Sequence, residues 1–249
     1  MRDVDLLGLE MDLLWGTDAL GRAEPAPLLA AGFAGDGRVA RAGTEVPAGL
    51  ASQLGRDAGL PDGGAAGGRR PADLDRWTEL LAPVAAVAVT GGPSYLVGSP
   101  RAAPSAAKVL TSAQPVPASL RDRRPRAWWE PQEWTDLLTG RLGPWAIAVD
   151  GSSVVALCHT PRSANGAAEA GVWTHPDARR RGHAAAVTAA WAGVAARDHD
   201  LLFYSTAEHN LASQGVARAL GLRPLGWIWQ LRPDAVPGTD DREPQLPAG

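Results

Sequence analysis

The sequence predicts an α/β protein, and three observations carry that prediction. Two apolar runs, Trp145–Val149 and Val154–His159, flank Asp150-Gly151, a residue pair favoured in tight hairpin turns. A short strand at Val172-Trp173-Thr174 then feeds a turn and an alanine-rich helix from His183 to about Arg197. Beyond it the pattern continues as strand (201–205), helix (211–220) and an alternating strand around Trp227-Ile228-Trp229.

Taken in order, Asp5 to Trp15 reads as a helix, with Leu6, Leu9, Leu13 and Leu14 on one broad face and an interruption at Gly8. Pro25 to Phe33 reads as a strand or extended segment. Thr44 to Leu60 reads as a helix after Pro47, ended by Gly59-Leu60-Pro61. Asp62 to Gly68, rich in glycine, reads as a flexible connector. Leu74 to Leu81 is a helix whose Leu74, Trp77, Leu80 and Leu81 share a face, and Pro83 stops it. A strand is expected over Val84–Val89, a turn at Gly91-Gly92-Pro93, and a returning strand at Ser94–Val97. No Lys-Ser/Thr follows those glycines, so a phosphate loop of the P-loop kind is not supported. Proline breaks residues 102–119, where only Val109-Leu110 suggests a strand. The charge run Arg121–Arg126 reads as solvated surface. Pro131 then sits well at the start of a helix to about Thr139, with Trp134, Leu137 and Leu138 as its buried face. Gly140 and Gly143-Pro144 end that helix. Ser163–Ala167 is a second turn, leading into a strand over Glu169–Thr174.

Composition narrows the classes. The chain has 249 residues, enough for a sizeable core in one or two domains. Its 45% hydrophobic and 20% charged residues are ordinary for a globular protein. A net charge of −3 argues against a generally basic nucleic-acid binder. The single Cys158 excludes an intrachain disulfide and a multi-cysteine metal site. No apolar run reaches the roughly 20 residues of a membrane span, and the acidic N-terminus does not read as a signal peptide. A cytoplasmic location is the expectation, with no nucleic acid, no membrane and no metal among the partners; a homodimer is allowed.

The most informative stretch is Glu169–Ala184. A strand ends at His175-Pro176-Asp177, because proline removes a donor and restricts its predecessor. A basic, glycine-bearing turn follows, Arg179-Arg180-Arg181-Gly182. It opens a helix whose first amides have no intrahelical partner and whose dipole is positive there, which is a ready anion site. Three guanidinium groups add charge in a geometry suited to phosphate.

Arg179-x-x-Gly182-x-Ala184 after a strand resembles the pyrophosphate loop of the GNAT superfamily of N-acetyltransferases. Leu201–Ser205, then Asn210-x-x-Ser213, then Leu220-Gly221-Leu222 resembles their second signature. The resemblance spans about Trp145 to Leu231. It implies a mixed, mostly antiparallel sheet with flanking helices and a splayed cofactor cleft. It further implies acetyl-CoA as cosubstrate. Arg179, Arg180, Arg181, Gly182, His183 and Ala184 would lie on the diphosphate. Backbone groups of Val172, Trp173 and Thr174, with Asn210 and Ser213, would lie on the pantetheine arm. Asn210 also sits where a helix cap belongs.

Glu169 precedes Arg179 by ten residues, a spacing like that of the catalytic glutamate in the histone-acetyltransferase branch. Attack on a thioester needs a neutral amine, and a carboxylate can supply one by removing a proton; a strand-edge glutamate is the bland alternative. Many relatives carry a tyrosine seven residues after the asparagine as general acid, but Ala217 stands there. Ser213, a neighbour such as Tyr204 or His209, or unassisted thiolate release are the remaining options. Cys158 and His159 are adjacent in a strand and point to opposite faces, so they do not read as a nucleophilic pair. His159 alone reads as a structural histidine or a group facing the cleft. His175 and His183 lack further ligands for zinc. Trp128, Trp129 and Trp134 read as core packing before an acceptor pocket.

The expected organisation is a substrate-shaping or degenerate GNAT-like region at 1–104, an acetyltransferase domain at 105–233, and a disordered tail at 234–249. The expected activity is transfer of an acetyl group from acetyl-CoA to an amine, of a small molecule or a peptide, by direct attack. Backbone amides near Thr174 would stabilise the oxyanion. The alternative is a CoA-binding regulatory or interaction module without turnover.

Overall fold

A computed structural model describes residues 1–15, 26–58, 70–101 and 103–234. The first part of the chain supplies α1 (Asp3–Leu14), β1 (Leu29–Ala34), β2 (Gly37–Ala42), α2 (Ala48–Ala58), α3 (Asp73–Leu81) and β3 (Val87–Leu96). The middle supplies β4 (Lys108–Thr111), α4 (Ala118–Arg121), α5 (Pro131–Leu138), β5 (Trp145–Asp150) and β6 (Ser153–Ala164). The last part supplies β7 (Ala167–Thr174), α6 (His183–Ala195), β8 (Leu201–Ser205), α7 (Leu211–Leu220) and β9 (Arg223–Pro233).

The nine strands among the described residues join one sheet in the order β2-β1-β9-β3-β8-β7-β6-β5-β4. Every neighbouring pair is antiparallel except β7 and β8. Side chains alternate between the two faces. One face carries Ala168, Val172, Leu202 and Tyr204 into the core with Trp191 of α6 and Ala217 of α7. Further along the same face, α2 and α3 bury Leu54 and Trp77 against β1 and β9. The opposite face is covered at one end by α1, through Leu7 and Met11 against Phe203 and Ile228. At the other end α4 and α5 set Leu120, Trp134 and Leu137 on Trp145 and Trp173. Trp77, Trp145, Trp173 and Trp191 are fully buried and Trp134 and Trp229 nearly so, which puts six of the chain's ten tryptophans in the core.

Local chemistry explains the element ends. Asp36, in the turn between β1 and β2, accepts from the amides of Asp3 (2.8 Å) and Val4 (3.0 Å), closing the N-terminus of α1. Pro131 opens α5 behind a Glu130–Glu133 capping box. Gly221 ends α7 with φ +66°.

Two expectations are corrected. Gly91-Gly92-Pro93 is not a turn; it lies inside the continuous strand β3. Glycine is required there by close approach, since a Cβ on Gly92 would fall 1.8 Å from the Thr206 carbonyl oxygen and one on Gly91 2.5 Å from the Trp229 ring. Within α1, Leu9 is exposed while Glu10 is fully buried, so the inward face runs through Leu6, Leu7, Glu10, Met11 and Leu13. Residues 37–42, to which the sequence reading assigned no element, form β2, an edge strand paired along its length with β1. The expected boundary near residue 104 does not part the sheet, because β3 lies between β8 and β9. The connector at 62–68 and the tail from 235 lie outside the described residues.

Candidate functional site

The parallel pair β7–β8 is in register at only three positions, Ala167↔Leu201, Ala168↔Leu202 and Glu169↔Phe203. Beyond Glu169 the strands part. β7 stays with β6 through Gly171, Val172, Trp173 and Thr174, and β8 stays with β3 through Tyr204 and Ser205. The bond from His175 N–H to the Val155 carbonyl (2.9 Å) fixes the alternation along β7. Gly171 and Trp173 direct their backbone groups to β6. Those of Ala170, Val172 and Thr174 face the gap. Of the three residues the sequence nominates, Val172 and Thr174 thus present their amides and carbonyls to the cleft, and Trp173 spends its own on the neighbouring strand.

Glu169 stands at the vertex. Ser205 N–H lost its strand partner when β7 turned away, and it donates to Glu169 Oε1 at 2.8 Å; Ser205 Oγ donates to the same oxygen at 2.8 Å. Glu169 Oε2 is buried without a partner. Burial raises the carboxyl to about 7, against the opposing pull of the Ser205 bonds.

β7 leads through a 3-10 turn (Pro176–Ala178) into the arginine turn. The backbone is left-handed at Arg180 (φ 62°) and Gly182 (φ 81°). Gly182 is the N-cap of α6 and brings no side chain to satisfy its amides. The first intrahelical bond there runs from Ala186 N–H to the Gly182 carbonyl. The amides of His183, Ala184 and Ala185 precede that bond and have no partner within the helix. Arg179, Arg180 and Arg181 are exposed around this row. The His183 side chain points inward instead, its Nδ1 2.8 Å from Ser105 Oγ, and so ties the turn to the segment before β4.

Across the cleft, Asn210 caps α7 by accepting from Ser213 N–H at 3.0 Å. Ser213 is buried, and its hydroxyl lies 2.5 Å from the Tyr204 hydroxyl, which also donates to the Ser213 carbonyl at 3.2 Å. Burial pushes the Tyr204 phenol up. Ala217 is fully buried in the core.

On the face opposite α6 and α7, His159 lies beside Gly171. Its Nδ1 is 3.0 Å from the Gly171 carbonyl and therefore carries a proton, which leaves Nε2 as the acceptor of the neutral ring. Burial lowers this imidazole to about 4. The Trp129 ring meets it edge-on at 5.1 Å, and Trp128 reaches Trp173 at 6.1 Å. Trp134 is core, while Trp128 is the exposed member of the group. Cys158 projects to the other face, buried, with its thiol pushed up. Glu10 of α1 is the residue that the sequence reading passed over. It is fully buried, bonded to Ser94 Oγ, and raised by burial and by the charge of Glu169. The signal was present: Glu10 stands three or four residues from Leu6, Leu7, Leu13 and Leu14, inside the apolar stripe. Among the described residues, no group of three or more His, Cys, Asp or Glu is placed to hold a metal, and no helix is long and apolar enough to cross a membrane.

Residues 101–223 match the family model of an acetyltransferase (GNAT) domain. These residues belong to the GNAT acetyltransferase family. The GNAT match begins just before β4 and ends where β9 starts, so it takes in the cleft, the arginine turn and the Asn210 cap. Solved structures of GNAT proteins are similar to the chain. A GNAT-family protein from Novosphingobium aromaticivorans is 21% identical over 94% of this chain and 98% of its own, with a TM-score of 0.47. A tandem GNAT protein from the clavulanic acid biosynthesis pathway is 14% identical over 95% and 98%, with a TM-score of 0.45. An N-acetyltransferase-like protein from Streptococcus suis is 17% identical over 63% and 68%, with a TM-score of 0.43. Among curated proteins there is no significant match.

Proposed function

We propose that the protein is an N-acetyltransferase that moves an acetyl group from acetyl-CoA to an amine by direct attack. One observation supports this most: the sheet's parallel strands separate just past a buried carboxylate, leaving strand-edge groups of Val172 and Thr174 facing a gap. An extended pantetheine arm has amides that suit such an edge. In this reading the diphosphate lies on the amides of His183 and Ala184, with Arg179, Arg180, Arg181 and Gly182 around it. The Asn210 side-chain NH₂, on the group whose oxygen caps α7, contacts the arm together with Ser213.

Glu169 takes a proton from the acceptor ammonium, directly or through water. The freed nitrogen attacks the thioester carbon, the C–S bond breaks, and the second amine proton reaches the leaving thiolate through the Ser213 hydroxyl, which Tyr204 backs and which regains the proton it passes on. An amide at Thr174 stabilises the developing oxyanion. The acceptor enters on the face of Glu169, His159 and Trp129, which α1 and α5 flank. The first hundred residues thereby shape the acceptor side.

Two observations favour a second reading, a CoA-binding module without turnover: Ala217 replaces the usual acid, and one Glu169 oxygen already serves as strand cap for Ser205. Thiol release from acetyl-CoA across a panel of amines separates the readings. An enzyme shows amine-dependent release that falls on the order of 100-fold in Glu169→Gln while CoA binding persists. Release that no amine stimulates rejects the enzyme reading.

A further inference from the structure

Three carboxylates are buried among the described residues: Glu10, Asp136 and Glu169. Asp136 has a cation, Arg141, and the Gln132 amide. Glu10 and Glu169 are different. Glu10 Oε2 accepts from Ser94 Oγ, and Glu169 Oε1 accepts from Ser205. Glu10 Oε1 and Glu169 Oε2 are buried with no partner. Ser94 and Ser205 are cross-strand partners of β3 and β8, so the two carboxylates stand at the ends of one serine pair. Burying two neighbouring negative charges without a cation is prohibitive; retaining a proton between them relieves it.

We propose that Glu10 and Glu169 share one proton across the Ser94–Ser205 pair, and that Glu10 is a positioning residue that sets the proton affinity of Glu169. The sharing stands on the geometry of the resting protein; its consequence for catalysis rests on the acyl-transfer reading above. With one proton already held by the pair, its single negative charge accepts the proton of the acceptor ammonium at Glu169. The nitrogen lone pair then forms the C–N bond, the C–S electrons leave on sulfur, a second amine proton ends on the thiol, and the pair returns its extra proton to solvent. The chain's N-terminal helix thus supplies a working part of the site and does more than cover the sheet.

Of the other titratable and charged groups around the pair, His159 shares the face of Glu169, and burial holds it neutral. Arg162 is the cross-strand partner of Glu169 on β6, and its Nη1 donates to the Pro161 carbonyl. Cys158 and Tyr204 feel Glu169 from the far face, and burial keeps both neutral. On α1, Asp12 is paired with Arg41.

The test is carboxyl NMR on ¹³C-glutamate-labelled full-length protein between pH 4 and 9, for the wild type, Glu10→Gln, Glu169→Gln and Ser94→Ala. Two coupled resonances titrating in separate steps, one near pH 7, support the proposal. So does a Glu169 step that moves down by at least about one unit in Glu10→Gln. Ser94→Ala keeps both carboxyls and removes only the hydroxyl donor to Glu10. It is expected to shift the shared proton toward Glu10 and lower the Glu169 step. An unchanged Glu169 titration in Glu10→Gln and Ser94→Ala overturns the proposal. The resting protein gives this reading with or without turnover. Coupled steps in a chain that acetylates no amine uphold the pair and reject the function. An active chain whose pH–rate profile and Glu169 step ignore Glu10→Gln does the reverse.

Discussion

Glu169 and His159 share a sheet face, and burial moves their proton affinities in opposite directions. A carboxyl raised from 4.5 to about 7 binds more protons in the folded than in the unfolded chain across that range, so its contribution to stability falls as pH rises through it. Glu10, also raised, adds to that falling limb. An imidazole lowered from 6.5 to about 4 binds fewer protons when folded, so its contribution rises with pH across that range. The limbs oppose one another between about 4.5 and 6.5. Urea unfolding at a series of pH values is expected to show a steeper rise for Glu169→Gln, and for His159→Gln a decline on the order of 3 kcal/mol between pH 4.5 and 7. Unchanged slopes would contradict the burial of these groups. Gly171 belongs to the same site. A Cβ there would lie 2.6 Å from His159 Cε1, so Gly171→Ala is expected to cost about 1–3 kcal/mol in the same assay. None of this residue-level coupling was legible in the sequence. Glu10 and Glu169 are 159 positions apart, and nothing local says that α1 lies over β7. What the sequence did show was a carboxylate inside an apolar stripe, a feature that asks for a buried partner.

At the scale of elements, the strand–turn–helix unit β7–α6 was readable because its signals are local. Proline at 176, glycine at 182 and an alanine run each dictate backbone geometry within a few residues. The hairpin at Asp150-Gly151 was readable for the same reason, and Gly151 does take a positive φ of 54°. β3 was misread because glycine and proline usually mark turns. At Gly91 and Gly92 the demand for glycine comes from Trp229 and Thr206, which are remote in sequence. The helix starts yield two predictions. Asn210→Ala removes the cap on Ser213 N–H and is expected to destabilise by about 1 kcal/mol, read by chemical unfolding. Gly182→Val places a branched side chain at φ +81°, with its Cβ 3.4 Å from the Pro104 carbonyl. It is expected to weaken CoA binding at least about tenfold while the fold persists.

At the scale of the whole molecule, one sheet runs through both parts of the chain. β3 pairs with β9 over ten positions and also borders β8, so a strand from the first hundred residues lies between two strands from the last fifty. The sequence could suggest strands but not this order, because neighbours such as β3 and β9 have no local signature linking them. A fragment beginning at residue 105 would expose the β8 and β9 edges and the faces that α1, α2 and α3 cover. It is expected to be unfolded or aggregated by circular dichroism; cooperative unfolding of the fragment would contradict the shared core. The most direct measurement is calorimetric titration of the full chain with acetyl-CoA, beside Gly182→Val. Saturable one-to-one binding that weakens at least about tenfold in the variant is the predicted result. No heat of binding from the intact chain, or equal affinity in both proteins, would show that the gap between β7 and β8 and the arginine turn do not form a coenzyme cleft.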